Sequence, residues 1–96
     1  MKSPSRHQAL VYNAFVNRPE QWLSHDDIVN VEPGIAPRTA RAHAKALADA
    51  GLLDRKWMFP STQYRLSTSI PVVAMELRDA LLAAIDMVTH QQEVNR

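Results

Sequence analysis

The placement of proline and glycine constrains this chain more than any other feature. Six prolines (Pro4, Pro19, Pro33, Pro37, Pro60 and Pro71) and only two glycines (Gly34 and Gly51) cut 96 residues into short segments with defined ends. Proline lacks the backbone N–H and clashes with the preceding helical turn, so it suits the first turn of a helix and breaks an interior. Pro4, with Ser3 or Ser5 as cap, therefore starts a helix over about Ser5 to Val16, and Pro19 forbids its continuation. Leu10, Val11, Ala14 and Phe15 recur at helical spacing and face a core. Gln21-Trp22-Leu23 is too short for a helix and reads as an extended segment.

Ser24 followed by Asp27 has the spacing of a capping box, with Asp in place of the usual Glu. Asp26 and Asp27 fall in the first turn, where the helix dipole favours acids. Ile28 and Val31 turn inward, and Glu32-Pro33-Gly34 ends this second helix, with Gly34 expected to take the positive φ of a tight reversal. A third helix begins at Ala36 or Pro37, runs to Ala50 and stops at Gly51, the expected residue after a C-cap. Ala40, Ala44 and Leu47 line one of its faces, while Arg38, Thr39, Arg41, Ala42 and Lys45 occupy the others.

Residues 52–59 alternate roughly, with Leu53, Trp57 and Phe59 predicted on one inward face. Pro60-Ser61-Thr62 makes a turn, and residues 63–67 alternate cleanly with Tyr64 and Leu66 inward. Two strands and a short turn make a β-hairpin, on which alternation puts Arg55 and Arg65 outward. A last helix is predicted from near Pro71 to about Gln92, a length of roughly 30 Å. Leu77, Leu81, Ala84 and Val88 follow 4-3-4 spacing along it, and Met75, Leu82 and Ile85 form a second apolar strip. From Val72 to Val88, 13 of 17 residues are apolar, more than a helix resting one face on a small core needs. The expected fold is mostly α with a small β-hairpin.

Several chemistries are excluded by what the chain lacks. With no cysteine there is no disulfide, thiolate zinc site or thiol nucleophile, which fits a reducing compartment. Two glycines leave no Gly-rich phosphate loop, and no GxSxG, Walker A or GxGxxG motif occurs. His7, His25, His43 and His90 are scattered without metal-ligand spacing, and His25-Asp26-Asp27 is better explained by capping than by acid–base chemistry. No enzyme, cofactor or metal is expected. Residues 1–10 lack the apolar stretch of a signal peptide. The longest apolar run, Ala80 to Ile85, has six residues against the roughly 20 that span a bilayer. A soluble, cytoplasmic and nucleoid-associated protein is expected.

The net charge of +1 conceals an asymmetry. Residues 1–70 hold nine Lys/Arg against six acids, while residues 71–96 hold Arg78 and Arg96 against four acids. Between Ala36 and Arg65 there are six basic residues and two acidic ones. A basic middle with an acidic end suits a surface that meets a polyanion beside a segment with another task.

A short helix, a Pro-Gly turn and a Pro-started helix carrying Arg-Thr-x-Arg form a helix-turn-helix pattern. Residues 23–53, LSHDDIVNVEPGIAPRTARAHAKALADAGLL, resemble the helix-turn-helix core of bacterial winged helix-turn-helix transcriptional regulators. The closest stretch is Gly34-Ile35-Ala36-Pro37-Arg38-Thr39-Ala40-Arg41-Ala42-His43, followed by Leu47 and Ala50-Gly51-Leu52-Leu53. The resemblance covers about residues 5–67 and implies that the third helix is a recognition helix leading into a wing hairpin. Ala40 and Ala44 stand where larger aliphatics are common in that family. The resulting expectation is a winged helix-turn-helix domain over 1–70 and a C-terminal dimerisation helix over 71–96.

The residues of that helix suit double-stranded DNA. Recognition helices point their N-terminal residues at base edges in the major groove. Arg38 and Arg41 can each grip guanine O6 and N7, a contact worth about 1–3 kcal/mol of discrimination. Thr39 offers a hydroxyl and a methyl, Ala42 a methyl for thymine, and Lys45 a point charge for phosphate, with Pro37 opening the helix. Ser24 and the N–H groups beside it form a candidate phosphate contact as well as a cap. Arg55, Lys56 and Arg65 read as phosphate or minor-groove contacts, or as edge-strand charge that blocks aggregation. Lys2 and Arg6 are candidates for an arm on DNA, although an unstructured start is the simpler reading. Trp22, Trp57, Phe59 and Tyr64 can stack on bases as in single-strand binders, but packing beneath the wing is the preferred assignment.

In the last helix, Leu77, Leu81, Leu82, Ala84, Ile85 and Val88 are assigned to a homodimer interface. Two recognition helices about 34 Å apart would then read a palindromic site. The expected function is transcriptional regulation, with repression favoured. A replication or partition accessory factor, or a winged-helix protein-interaction module without DNA binding, stay open as alternatives.

Overall fold

The computed structural model describes residues 4–94, with side chains described to Thr89. Four helices and a hairpin follow in the order α1 (Arg6–Val16), α2 (His25–Val31), α3 (Pro37–Asp49), β1 (Leu53–Met58), β2 (Ser61–Leu66), a 3₁₀ turn (Val72–Ala74) and α4 (Met75–Val94). This is the mostly-α, winged helix-like architecture expected.

The helix ends follow the capping signals. The Ser5 hydroxyl accepts the Gln8 N–H to open α1. At α2 the Ser24 hydroxyl accepts the Asp27 N–H at 3.3 Å and the Asp27 carboxylate accepts the Ser24 N–H at 3.0 Å, so the capping box is complete with Asp. Pro37 occupies the first turn of α3, and Ala36 before it offers no side-chain acceptor. At the other end, Gly51 has φ 89°, the Gly51 N–H reaches the Ala48 carbonyl, and the Leu52 N–H reaches the Leu47 carbonyl. That pair of bonds is a Schellman motif, which needs a left-handed residue at Gly51.

The reversal between α2 and α3 corrects one expectation. Gly34 does not adopt positive φ; Gly51 is the only described glycine that does. The turn is closed by the Ile35 N–H donating to the Glu32 carbonyl at 3.1 Å and by burial of the Ile35 side chain. Residue 35 is a core position that periodicity does not mark, because it lies between helices.

β1 and β2 pair antiparallel with Leu53 opposite Leu66 and Met58 opposite Ser61, leaving Phe59-Pro60 as a two-residue connection. Ser61 and Thr62, expected in the turn, are therefore in β2. Leu23 adds an isolated bridge to the free edge of β2, exchanging two hydrogen bonds with Tyr64 at 2.7 and 2.8 Å. The extended segment at Trp22-Leu23 thus acts as a one-residue third strand and ties the helical half to the wing.

The core gathers Tyr12 and Phe15 of α1, Leu23, Ile28, Ile35, Leu47 of α3, Leu52 and Leu81 of α4, all almost fully buried. α1 packs against both α3 and α4. The Ala40 and Ala44 faces are fully buried. Small side chains there let α3 lie close to its neighbours, since interaxial distance depends on contact residues. Arg6 lies in α1 and not in an arm; Lys2 and Ser3 lie outside the described residues.

Candidate nucleic-acid interface

α3 separates its two faces cleanly. Ala40, Ala44 and Leu47 have no solvent exposure, whereas Pro37, Arg38, Arg41, Ala42 and Lys45 are exposed and Thr39 is half-buried. Positions 38, 41, 42 and 45 are related by three and four residues, so their side chains form one stripe. The four ion pairs among the described residues involve neither Arg38, Arg41 nor Lys45. Three cations on one exposed stripe without carboxylate partners make an electropositive surface.

One member of the stripe has a side-chain neighbour on α2. An Arg41 guanidinium nitrogen lies 3.2 Å from His25 Nε2. His25 begins α2, and its ring is also 3.5 Å from the Asp26 carboxylate. The contact fixes the Arg41 side chain between the two helices, across a gap of sixteen residues that no sequence pattern marks.

The wing places its cations differently from expectation. Residues directly opposite in an antiparallel pair share a face, and Arg55 lies opposite Tyr64 while Arg65 lies opposite Asp54. Arg55 and Arg65 are therefore on opposite faces of the hairpin and do not point outward together. Arg55 is on the inward-facing side and reaches past the core edge to the Asp49 carboxylate of α3 at 3.2 Å. On the outer face Arg65 lies 3.6 Å from Asp54 and stacks over the Trp22 ring at 4.5 Å from its centroid. Lys56 approaches the same ring at 5.9 Å. Both distances are within the range of a cation–π attraction.

The aromatic assignment is corrected as well. Tyr64 is buried and Trp22 is half-buried, but Trp57 is 64% and Phe59 88% exposed. Leu53 and Trp57 do share a face, as alternation requires, but among the described residues the outer half of the hairpin is left uncovered. A groove of about 280 Å³ lies between α3 and the wing, lined by His25, Arg41, Trp57, Ser61, Thr62 and Tyr64. Ser24 is buried and both of its capping atoms are engaged with Asp27.

α4 divides its apolar residues between two sides. Leu81 is fully buried, Val88 nearly so, and Leu77, Ala84 and Ile85 are packed partly buried against the core. Leu82 and Met87 are 41% and 62% exposed. The six positions assigned to one interface are therefore split, most of them being occupied within the protomer. Among the described residues no group of three or more His, Asp or Glu is placed to hold a metal ion, and no helix is long and apolar enough to cross a membrane.

No protein-family model and no curated protein matches this chain. Among solved structures, the fold is similar to that of a possible transcriptional regulator from Methanosarcina mazei Go1. The two share 15% sequence identity with a TM-score of 0.63, over 96% of this chain and 78% of that one. At that identity the likeness is one of fold.

Proposed function

We propose that this chain is a dimeric, sequence-specific DNA-binding regulator that inserts α3 in the major groove and acts as a repressor by blocking promoter access. The observation that carries this reading is the stripe of Arg38, Arg41 and Lys45, exposed and in no ion pair among the described residues, on a helix whose opposite face is in the core. In this reading Arg38 and Arg41 contact base edges, with Thr39 and Ala42 beside them, Pro37 sets the start of the helix and Lys45 meets phosphate. Lys56 on the outer face of the wing, and Arg55 and Arg65 when released from their carboxylates, add phosphate contacts, and Ser24 lies near the backbone path. The structural neighbour described as a possible transcriptional regulator supports the regulator class. Residues 1–70 form the reading head and 71–96 the self-association helix, with Leu82, Met87 and the remaining exposure of Ala84 and Ile85 facing a second copy.

Selection of bound duplexes from a random pool, followed by gel shift, tests this. The wild type enriches a palindromic consensus, and its affinity falls steeply with added salt because phosphate contacts release counterions. The double variant Arg38→Ala/Arg41→Ala keeps its circular dichroism spectrum and loses specific binding, by about 30-fold or more for two base contacts. Unchanged binding in that variant would remove α3 as the recognition helix.

A further inference from the structure

The tip of the hairpin exposes side chains that normally anchor a core. Phe59 is 88% exposed, Trp57 64% and Met58 36%, all beside the two-residue connection at Phe59-Pro60. Aromatic side chains each bury roughly 150–250 Å² when covered, and clustered apolar exposure marks a contact surface. Among the described residues, the covered part of the sheet ends at the Arg55–Tyr64 pair, one row short in each strand of the Trp57–Thr62 pair on the same face.

The surroundings indicate what they meet. Trp57 walls the groove whose far side is Arg41 and His25, so the aromatic tip lies beside the exposed stripe of α3. Ser61 and Thr62 supply hydroxyls to that groove. The cation, imidazole and hydroxyls of that groove, set beside Trp57, Pro60 and Tyr64, suit a sugar–phosphate backbone flanked by an apolar edge.

We infer that the wing tip is a wedge for a duplex base step. With α3 in the major groove, the groove between α3 and the wing seats the intervening backbone. Phe59, backed by Trp57, then enters the adjacent minor groove and inserts at one step. This rests on the reading of α3 as a recognition helix and adds a second source of specificity. Apolar side chains inserted in this way unstack a step and kink the duplex toward the major groove. Pyrimidine–purine steps such as TA or CA yield most readily. The preferred site therefore carries a flexible step at a fixed distance from the bases met by α3, at a position where no hydrogen bond reads the sequence.

The test uses the duplex selected by the wild type, with 2-aminopurine substituted at one position at a time across and beside the consensus. The wild type raises the fluorescence at a single step outside the α3 contacts. Phe59→Ala abolishes the rise and weakens binding by about tenfold, as expected for one lost aromatic–base stack. Phe59→Leu, still an apolar wedge, retains part of both. Phe59 is exposed, so thermal melts confirm that each variant is folded. If binding still depends on Arg38 and Arg41 but no position brightens and Phe59→Ala binds as the wild type does, the wedge is overturned and the recognition helix stands. If the wild type selects no duplex, both readings fall together. A Phe59→Ala variant with altered mass by light scattering and unaltered DNA binding would place the tip in a protein interface and overturn the wedge.

Discussion

Gly51 carries two constraints at once. Its φ of 89° is strained for any L side chain, and a Cβ built there would lie 2.8 Å from both Cγ and Cδ of Pro71. The residue that ends α3 is thus also the one against which the entry to α4 is pressed. Gly51→Ala is expected to destabilise the protein by more than the roughly 1–2 kcal/mol that left-handed backbone alone costs, because the Pro71 ring must also shift. Gly34 is the internal control: a Cβ there meets nothing within 4 Å and its φ is not positive. Gly34→Ala is expected to be neutral or to stabilise by up to about 1 kcal/mol through the unfolded chain. Chemical denaturation of the two variants checks both. The sequence treats these glycines alike, as two turn residues; only the tertiary approach of Pro71 and the actual dihedral angles distinguish them.

Among the elements, α3 and α4 show how far periodicity reaches. Ala40, Ala44 and Leu47 are buried as their spacing predicts, and the cationic stripe lies opposite, so the candidate recognition face was legible from residue order alone. The capping box at α2 and the stop at Gly51 were legible for the same reason, being local hydrogen-bond chemistry. The wing was not: alternation correctly pairs Leu53 with Trp57 on one face, but where the helical body ends beneath the sheet is a property of the whole assembly. The Arg41–His25 and Arg55–Asp49 contacts were hidden because they join separate elements. In α4, spacing identified the apolar strips but not which one the protomer uses. Leu81→Ala is expected to cost about 2–5 kcal/mol as a core truncation with no change of solution mass. Leu82→Glu/Met87→Glu, on exposed positions, is expected to leave the fold intact and convert the proposed dimer to monomer. Thermal denaturation and light scattering on the two variants separate these outcomes; equal masses across all samples would remove α4 as the dimer contact.

For the molecule as a whole, three perturbed groups shape stability against pH. Burial, reinforced by His7, lowers the pKa of His43 below its ordinary 6.5. The folded state then binds fewer protons than the unfolded chain as pH falls through that value, so stability declines on acidification below about 6.5. Burial raises Tyr12 above its ordinary 10.0, outweighing the opposing pull of Arg78. The unfolded chain therefore ionises first in alkali, and stability is lost as pH rises past about 10. Burial also raises Glu32 above 4.5 against the opposing effects of Asn13 and Arg18. Its contribution is present in acid and is lost as pH rises through the raised folded value. The expected profile has its plateau between about pH 6.5 and 10, and the acid limb between pH 7.5 and 5.5 flattens in His43→Gln; melts across that range measure it. A final consequence concerns redesign. On α3 the fully buried residues Ala40, Ala44 and Leu47 are separate from the exposed stripe of Arg38, Arg41, Ala42 and Lys45. On the proposed reading of α3, an engineer can randomise those four exposed positions and search for new target sequences, while the alanine seam beneath keeps the helix seated.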